Sequence, residues 1–124
     1  YNWTKIHKTP CFIRFPGMEE TGVNSTICGE IDLLPTIANL MGFDAPYALG
    51  KDIFNTEKGY AVLRDSSVIT DEFLYSASDG NVYGNGGQVL DRSLYESEIK
   101  KYQHELEISD IILDKNALKS YLKN

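Results

Sequence analysis

Two histidines, His7 and His104, are the only imidazoles in 124 residues, and imidazole is the group that most readily serves as base, proton shuttle or metal ligand near neutral pH. His7 lies between Ile6 and Lys8 ahead of an apolar run; it reads as a surface or edge residue, with a cleft-facing role as the alternative. His104 sits among charges on a helical stretch and reads as part of a solvated face. Glu30 and Asp32 could be a carboxylate pair or metal ligands, but helix capping accounts for the aspartate. Gly84-Asn85-Gly86-Gly87 resembles a phosphate-cradling loop by composition alone, since it opens no helix and so lacks the N-terminal dipole such loops use. Arg64-Asp65 could bind an anion, yet a strand end followed by a turn aspartate is its ordinary reading. Cys11 and Cys28 have neither CxxC spacing nor clustered histidines; two buried free thiols are the first reading and a disulfide the alternative. No Ser/His/Asp or Cys/His set has a spacing that supports nucleophilic catalysis, so the residues alone assign no catalytic, cofactor or metal site.

The elements that would position these groups are better marked. Asp32 as N-cap, Pro35 inside the first turn and Gly42 at the stop delimit a helix whose apolar face is Leu33, Leu34, Ile37, Leu40 and Met41. Ahead of it, Thr9 to Phe15 closed by Pro16-Gly17 predicts a strand entering a turn, and Met18 to Thr26 a surface loop. Strand, loop and helix make half of a βαβ unit. Phe43 to Asn55 reads as connection. Beyond it, the runs Tyr60–Arg64, Ser67–Thr70, Phe73–Ser76, Asn81–Tyr83 and Gln88–Leu90 alternate with turn residues Asp65-Ser66, Asp79-Gly80 and Asn85-Gly86-Gly87. They predict an antiparallel meander of about four strands, the second and third runs forming one strand bent at Asp71-Glu72. Ser93-Leu94-Tyr95-Glu96 has the form of a capping box opening a long helix with the stripe Tyr95, Ile99, Tyr102, Leu106 and Leu113, and with Glu98, Lys100, Lys101 and Glu105 outside it. A break near 114–116 and a short last helix through Leu118, Tyr121 and Leu122 complete the expectation.

Hydrophobic content of 42% over this length supports one modest core. Twelve basic against eighteen acidic residues leave a net charge of −6, which disfavours nucleic acid and anionic lipid surfaces as partners. No run approaches the ~20 apolar residues of a membrane span. The chain opens on Tyr1 in dense sequence, which suggests a piece of a longer protein.

The order of landmarks resembles a known family. Pro10 to Gly17, the block Gly29-Glu30-Ile31-Asp32-Leu33-Leu34-Pro35-Thr36-Ile37 with Leu40-Met41-Gly42, and Gly50-Lys51-Asp52-Ile53-Phe54 are similar to the C-terminal third of sulfatase-like members of the alkaline phosphatase superfamily. Ala61 to Thr70 and the Asn81-Val82-Tyr83 hairpin are closer to its phosphoglycerol transferase branch, the lipoteichoic acid synthases, than to arylsulfatases. The resemblance implies an α/β fragment: residues 1–55 as the terminal strand and helix of a sulfatase-like core, and 56–124 as a small antiparallel sheet covered by a long helix. It implies a parent anchored in the membrane by upstream helices and acting outside the cell. Such a parent moves glycerol phosphate from phosphatidylglycerol, through a threonine nucleophile beside a divalent metal, typically manganese, to a cell-envelope polymer. The threonine and the metal ligands lie upstream of the matched region, so none maps to a residue here. The expected partner is the missing catalytic part, with self-association of the isolated chain as a second expectation. A sulfate-ester or phosphodiester hydrolase of the same superfamily, and a non-catalytic interaction module, are the alternatives.

Overall fold

The apolar residues after residue 59 are spaced for a sheet, and in the computed structural model, which describes residues 8–17, 19, 21–115 and 119, they form one. Strands β1 (Tyr60–Val62), β2 (Val68–Thr70), β3 (Phe73–Tyr75), β4 (Val82–Gly84) and β5 (Val89–Leu90) run antiparallel in chain order. The register places Val62 opposite Val68, Val68 opposite Tyr75, and Tyr75 opposite Val82, so one face carries Val68, Phe73, Tyr75 and Val82. Helix α2 (Glu96–Asp114) lays Ile99 and Tyr102 on that face, and these six residues are the buried core, with Tyr60, Val62, Leu90 and Tyr95 packed at its margin.

Five strands form where about four were expected, because Asp71-Glu72 is a two-residue hairpin turn and not a bend within one strand. The buried Thr70 hydroxyl closes it: Oγ1 accepts from Phe73 N (2.9 Å) and Glu72 N (3.2 Å) and donates to Phe73 O (3.0 Å). A threonine side chain that serves three backbone contacts does the work of turn glycines, which is why no Gly or Asn marks the site. The capping box also differs. Asp91, not Ser93, caps a single 3-10 turn, Arg92–Leu94, by accepting from Ser93 N (3.0 Å), and Glu96 pairs with Arg92 (2.9 Å). The α-helix proper begins at Glu96, without a side-chain cap. Of the predicted stripe, Ile99 and Tyr102 are buried and Tyr95 and Leu106 half-buried, whereas Leu113 is exposed, since the helix runs past the edge of a sheet only three residues deep. The last predicted helix falls outside the described residues, apart from Lys119.

In the first part of the chain, helix α1 (Leu33–Met41) forms as expected and stops at Gly42, whose φ of 70° lets Gly42 N donate to Asn39 O (3.2 Å) and Phe43 N to Ala38 O (3.0 Å). Pro16-Gly17 is a turn, but residues 11–15 pair with no strand among the described residues, and Phe12 is 93% exposed. A strand exists only through the ladder bonds of a neighbour, and the described chain offers 11–15 none.

Candidate functional site

The most buried charge in the described chain is Asp32, 1% exposed, and its position follows from local sequence. Glu30–Asp32 form one 3-10 turn ahead of α1, so the aspartate sits inside the helical start and reaches back to accept from Gly29 N (2.9 Å). Asp32 does occupy the N-cap position of α1, as expected, but its carboxylate makes no capping hydrogen bond to the first turn and belongs to a longer-range joint. Lys51 donates to it twice, from the backbone N to Oδ1 (2.8 Å) and from Nζ to Oδ2 (2.9 Å). Gly50 makes this approach possible, with φ at 88° and its Cα so close that a Cβ would fall 2.6 Å from Ile31 O. Thr36 adds a second tie, its hydroxyl donating to Asp32 O (2.6 Å) and accepting from Ile53 N (3.1 Å).

The same lysine reaches the sheet. Lys51 Nζ donates to Tyr60 O (2.9 Å) and lies 3.7 Å from the centre of the Tyr60 ring. That ring stacks on Tyr102 of α2 at 4.0 Å, and the Tyr60 hydroxyl donates to Glu105. Tyr102 in turn donates to Glu98 (2.7 Å). Burial, reinforced by the Glu105 hydrogen bond, raises the Tyr60 pKa well above the usual phenol value, and burial with Glu98 does the same for Tyr102. Both phenols are thus held as neutral donors, and both Asp32 oxygens are occupied. The cluster holds α1, the 50–53 loop, β1 and α2 together; it presents no free nucleophile or base.

The residues singled out by sequence are scattered. Glu30 is exposed on the 3-10 turn. Arg64 pairs with Asp110 of α2 (2.6 Å), and Asp65 accepts from Ser67 N (2.9 Å), so the pair is a hairpin tied to the helix. His104 lies on the exposed side of α2, 3.1 Å from Glu107. Gly84–Gly87 is a turn, closed by Gly87 N donating to Gly84 O (2.8 Å). His7 lies outside the described residues. Cys11 and Cys28 are unbonded and both exposed, which corrects the expectation of buried thiols: the strand that was to bury Cys11 is unpaired. At Cys28, packing against the thiol and then the Asp32 carboxylate raise the pKa. Sequence reading missed Lys51, Tyr60 and Glu105, because their partners stand 19 and 45 positions away and nothing local signals them.

Among the described residues no three His, Cys, Asp or Glu side chains converge to hold a metal, and no helix is long and apolar enough to cross a membrane. The manganese that the resemblance implies therefore finds no fitting ligand set among the described residues. Two clefts of about 230 Å³ flank the joint, one between Ala48–Gly50 and Glu105 and Ile108, the other lined by Lys58, Glu72, Glu98 and Tyr102. Both are smaller than the roughly 300–1,000 Å³ of ordinary ligand sites. The larger feature is apolar surface: Phe12, Val23, Ile31, Leu34, Met41, Phe43 and Phe54 are all exposed, and all lie before β1.

No family model matches the chain. The lipoteichoic acid synthases of Staphylococcus aureus strains USA300 and NCTC 8325 are each 29% identical to it over 125 residues, covering 96% of this chain and 19% of the relative. The chain thus spans about a fifth of the length of the curated relatives it matches. The crystal structure of the lipoteichoic acid synthase LtaP from Listeria monocytogenes superposes with a TM-score of 0.68 at 27% identity, over 80% of this chain and 27% of that one. In sequence and in fold the chain is similar to the C-terminal part of the lipoteichoic acid synthases.

Proposed function

We propose that this chain is the C-terminal structural portion of an extracellular, membrane-anchored phosphoglycerol transferase, with residues 1–55 completing its α/β core and 56–124 forming a small subdomain against it. The parent would take glycerol phosphate from phosphatidylglycerol and pass it to a cell-envelope polymer, its threonine nucleophile and divalent metal being supplied by sequence outside these 124 residues. The isolated chain is then inactive. The observation that carries this reading is the exposed apolar surface on the α1 side of a chain whose sheet core is already closed. Ile31, Leu34 and Met41 face water on and before a helix whose tie to the sheet runs through Asp32 and Lys51 to Tyr60. Exposed apolar surface of this extent needs a partner, and relatives about five times as long offer one within the same polypeptide.

The test is an assay of the full-length gene product and of the 124-residue chain with fluorescent phosphatidylglycerol and manganese. Manganese-dependent release of fluorescent diacylglycerol by the full-length protein alone is the expected result. Turnover of a sulfate ester or a simple phosphodiester in its place would move the assignment to the hydrolases of the superfamily. No turnover of any of them would leave an interaction module.

A further inference from the structure

The register places five apolar side chains in one line across the sheet on the side away from α2: Ala61 opposite Ile69, Ile69 opposite Leu74, Leu74 opposite Tyr83, and Tyr83 opposite Val89. Their neighbours along each strand are the core residues, so this second face follows from the two-residue period of a strand. Ala61 is covered, beside Gly29. The rest are not: Ile69, Leu74 and Tyr83 are half-buried and Val89 is 64% exposed. An antiparallel sheet with one face in water carries polar residues on that face, whereas strands covered on both sides are apolar throughout. Here no outward position is itself charged, and the one polar group on the line, the Tyr83 hydroxyl, is satisfied at its edge by donating to the Asp79 carboxylate and accepting from Asn81 Nδ2 (3.4 Å).

Resting on the proposed function above, we infer that Ile69, Leu74, Tyr83 and Val89 form a second docking face, closed by an apolar element of the remaining four fifths of the same lipoteichoic acid synthase-like polypeptide. The size of the face argues for a tethered occupant over a second copy. Strands of three residues span about 10 Å, and five strands about 19 Å, a footprint of roughly 200 Å². Stable association of separate chains needs about 800 Å² per partner. A segment of the same polypeptide loses far less freedom on docking and can hold a face that small.

Hydroxyl-radical footprinting with mass spectrometry tests this without altering the protein. In the 124-residue chain, Leu74, Tyr83, Leu34 and Met41 should all be labelled; in the full-length gene product, labelling of all four should fall at least tenfold. Protection of Leu34 and Met41 with Leu74 and Tyr83 still labelled would overturn the second face while leaving the proposed function standing. Protection of none would overturn both. Protection of Leu74 and Tyr83 in the short chain that grows with its concentration would assign the face to a second copy and overturn the tethered occupant. A substitution gives an independent reading. Leu74→Glu, on a half-buried and uncovered sheet face, should shift the thermal midpoint of the short chain by less than about 4 °C, and that of the full-length protein by about 8 °C or more. Equal small shifts in the two proteins would overturn the inference.

Discussion

Asp32 shows how much of this chain depends on a single carboxylate. Its oxygens accept from Gly29 N, Lys51 N and Lys51 Nζ, and the site is closed to water. Replacing it by alanine leaves an ammonium and two backbone donors facing an apolar gap. Loss of one partner from such a pair costs about 3 kcal/mol. Asp32→Ala should lower the urea midpoint accordingly, and Lys51→Arg, which keeps the charge but not the fit beneath the Tyr60 ring, should fall between it and the natural protein. Cys28 makes a chemical prediction. Packing and the Asp32 carboxylate hold its thiol protonated above the usual range, and the thiolate is the nucleophile. At neutral pH its alkylation by iodoacetamide should be several-fold slower than that of cysteine in a short peptide, read by mass spectrometry, despite its place on the surface.

Among the elements, the β2–β3 hairpin and the β1–α2 contact carry the testable energetics. Thr70→Val keeps the side-chain volume but leaves the buried Phe73 N and O without the hydroxyl between them, at a cost of about 1–3 kcal/mol in denaturant titrations. At the β1–α2 contact, Tyr60 and Tyr102 are neutral in the folded chain to a higher pH than in the unfolded one. The unfolded phenols release protons near their ordinary pKa of 10.0, whereas the folded ones do not, so the folded state binds more protons above that point. Stability from this contact is complete below pH 10 and falls as pH rises further. Ultraviolet titration should show these two phenols ionising late, together with loss of helix signal, and Tyr60→Phe should shift that alkaline transition.

For the whole molecule, the contrast is between a closed core and an open flank. The six core residues of the sheet and α2 satisfy one another, while the segment before β1 leaves Phe12, Leu34 and Met41 in water. In isolation such a surface recruits copies of itself. Sedimentation should show weak, reversible, concentration-dependent association, reduced by Leu34→Glu combined with Met41→Glu; a monomer at all concentrations would count against the exposed flank as an interface.

What the sequence determined by itself is whatever local chemistry decides. Gly42 ends α1 because only a residue at ease with positive φ closes that turn; Asp79-Gly80 and Asn85-Gly86-Gly87 reverse the chain for similar reasons, and strand-sized apolar runs between them make a meander. The resemblance carried by the Asp32 block and the Gly50-Lys51 stretch was legible too, although nothing in the spacing says that these two stretches touch. Tertiary structure alone decided that the carboxylate of Asp32, at the N-cap position, answers Lys51 and not the first turn of α1, that Thr70 makes a turn where no turn residue stands, and that residues 11–15 pair with no strand among the described residues. It also decided which apolar face lies under α2 and which faces outward. Two faces of one strand look equally apolar in sequence, and the difference between them arises only when a partner element excludes water from one.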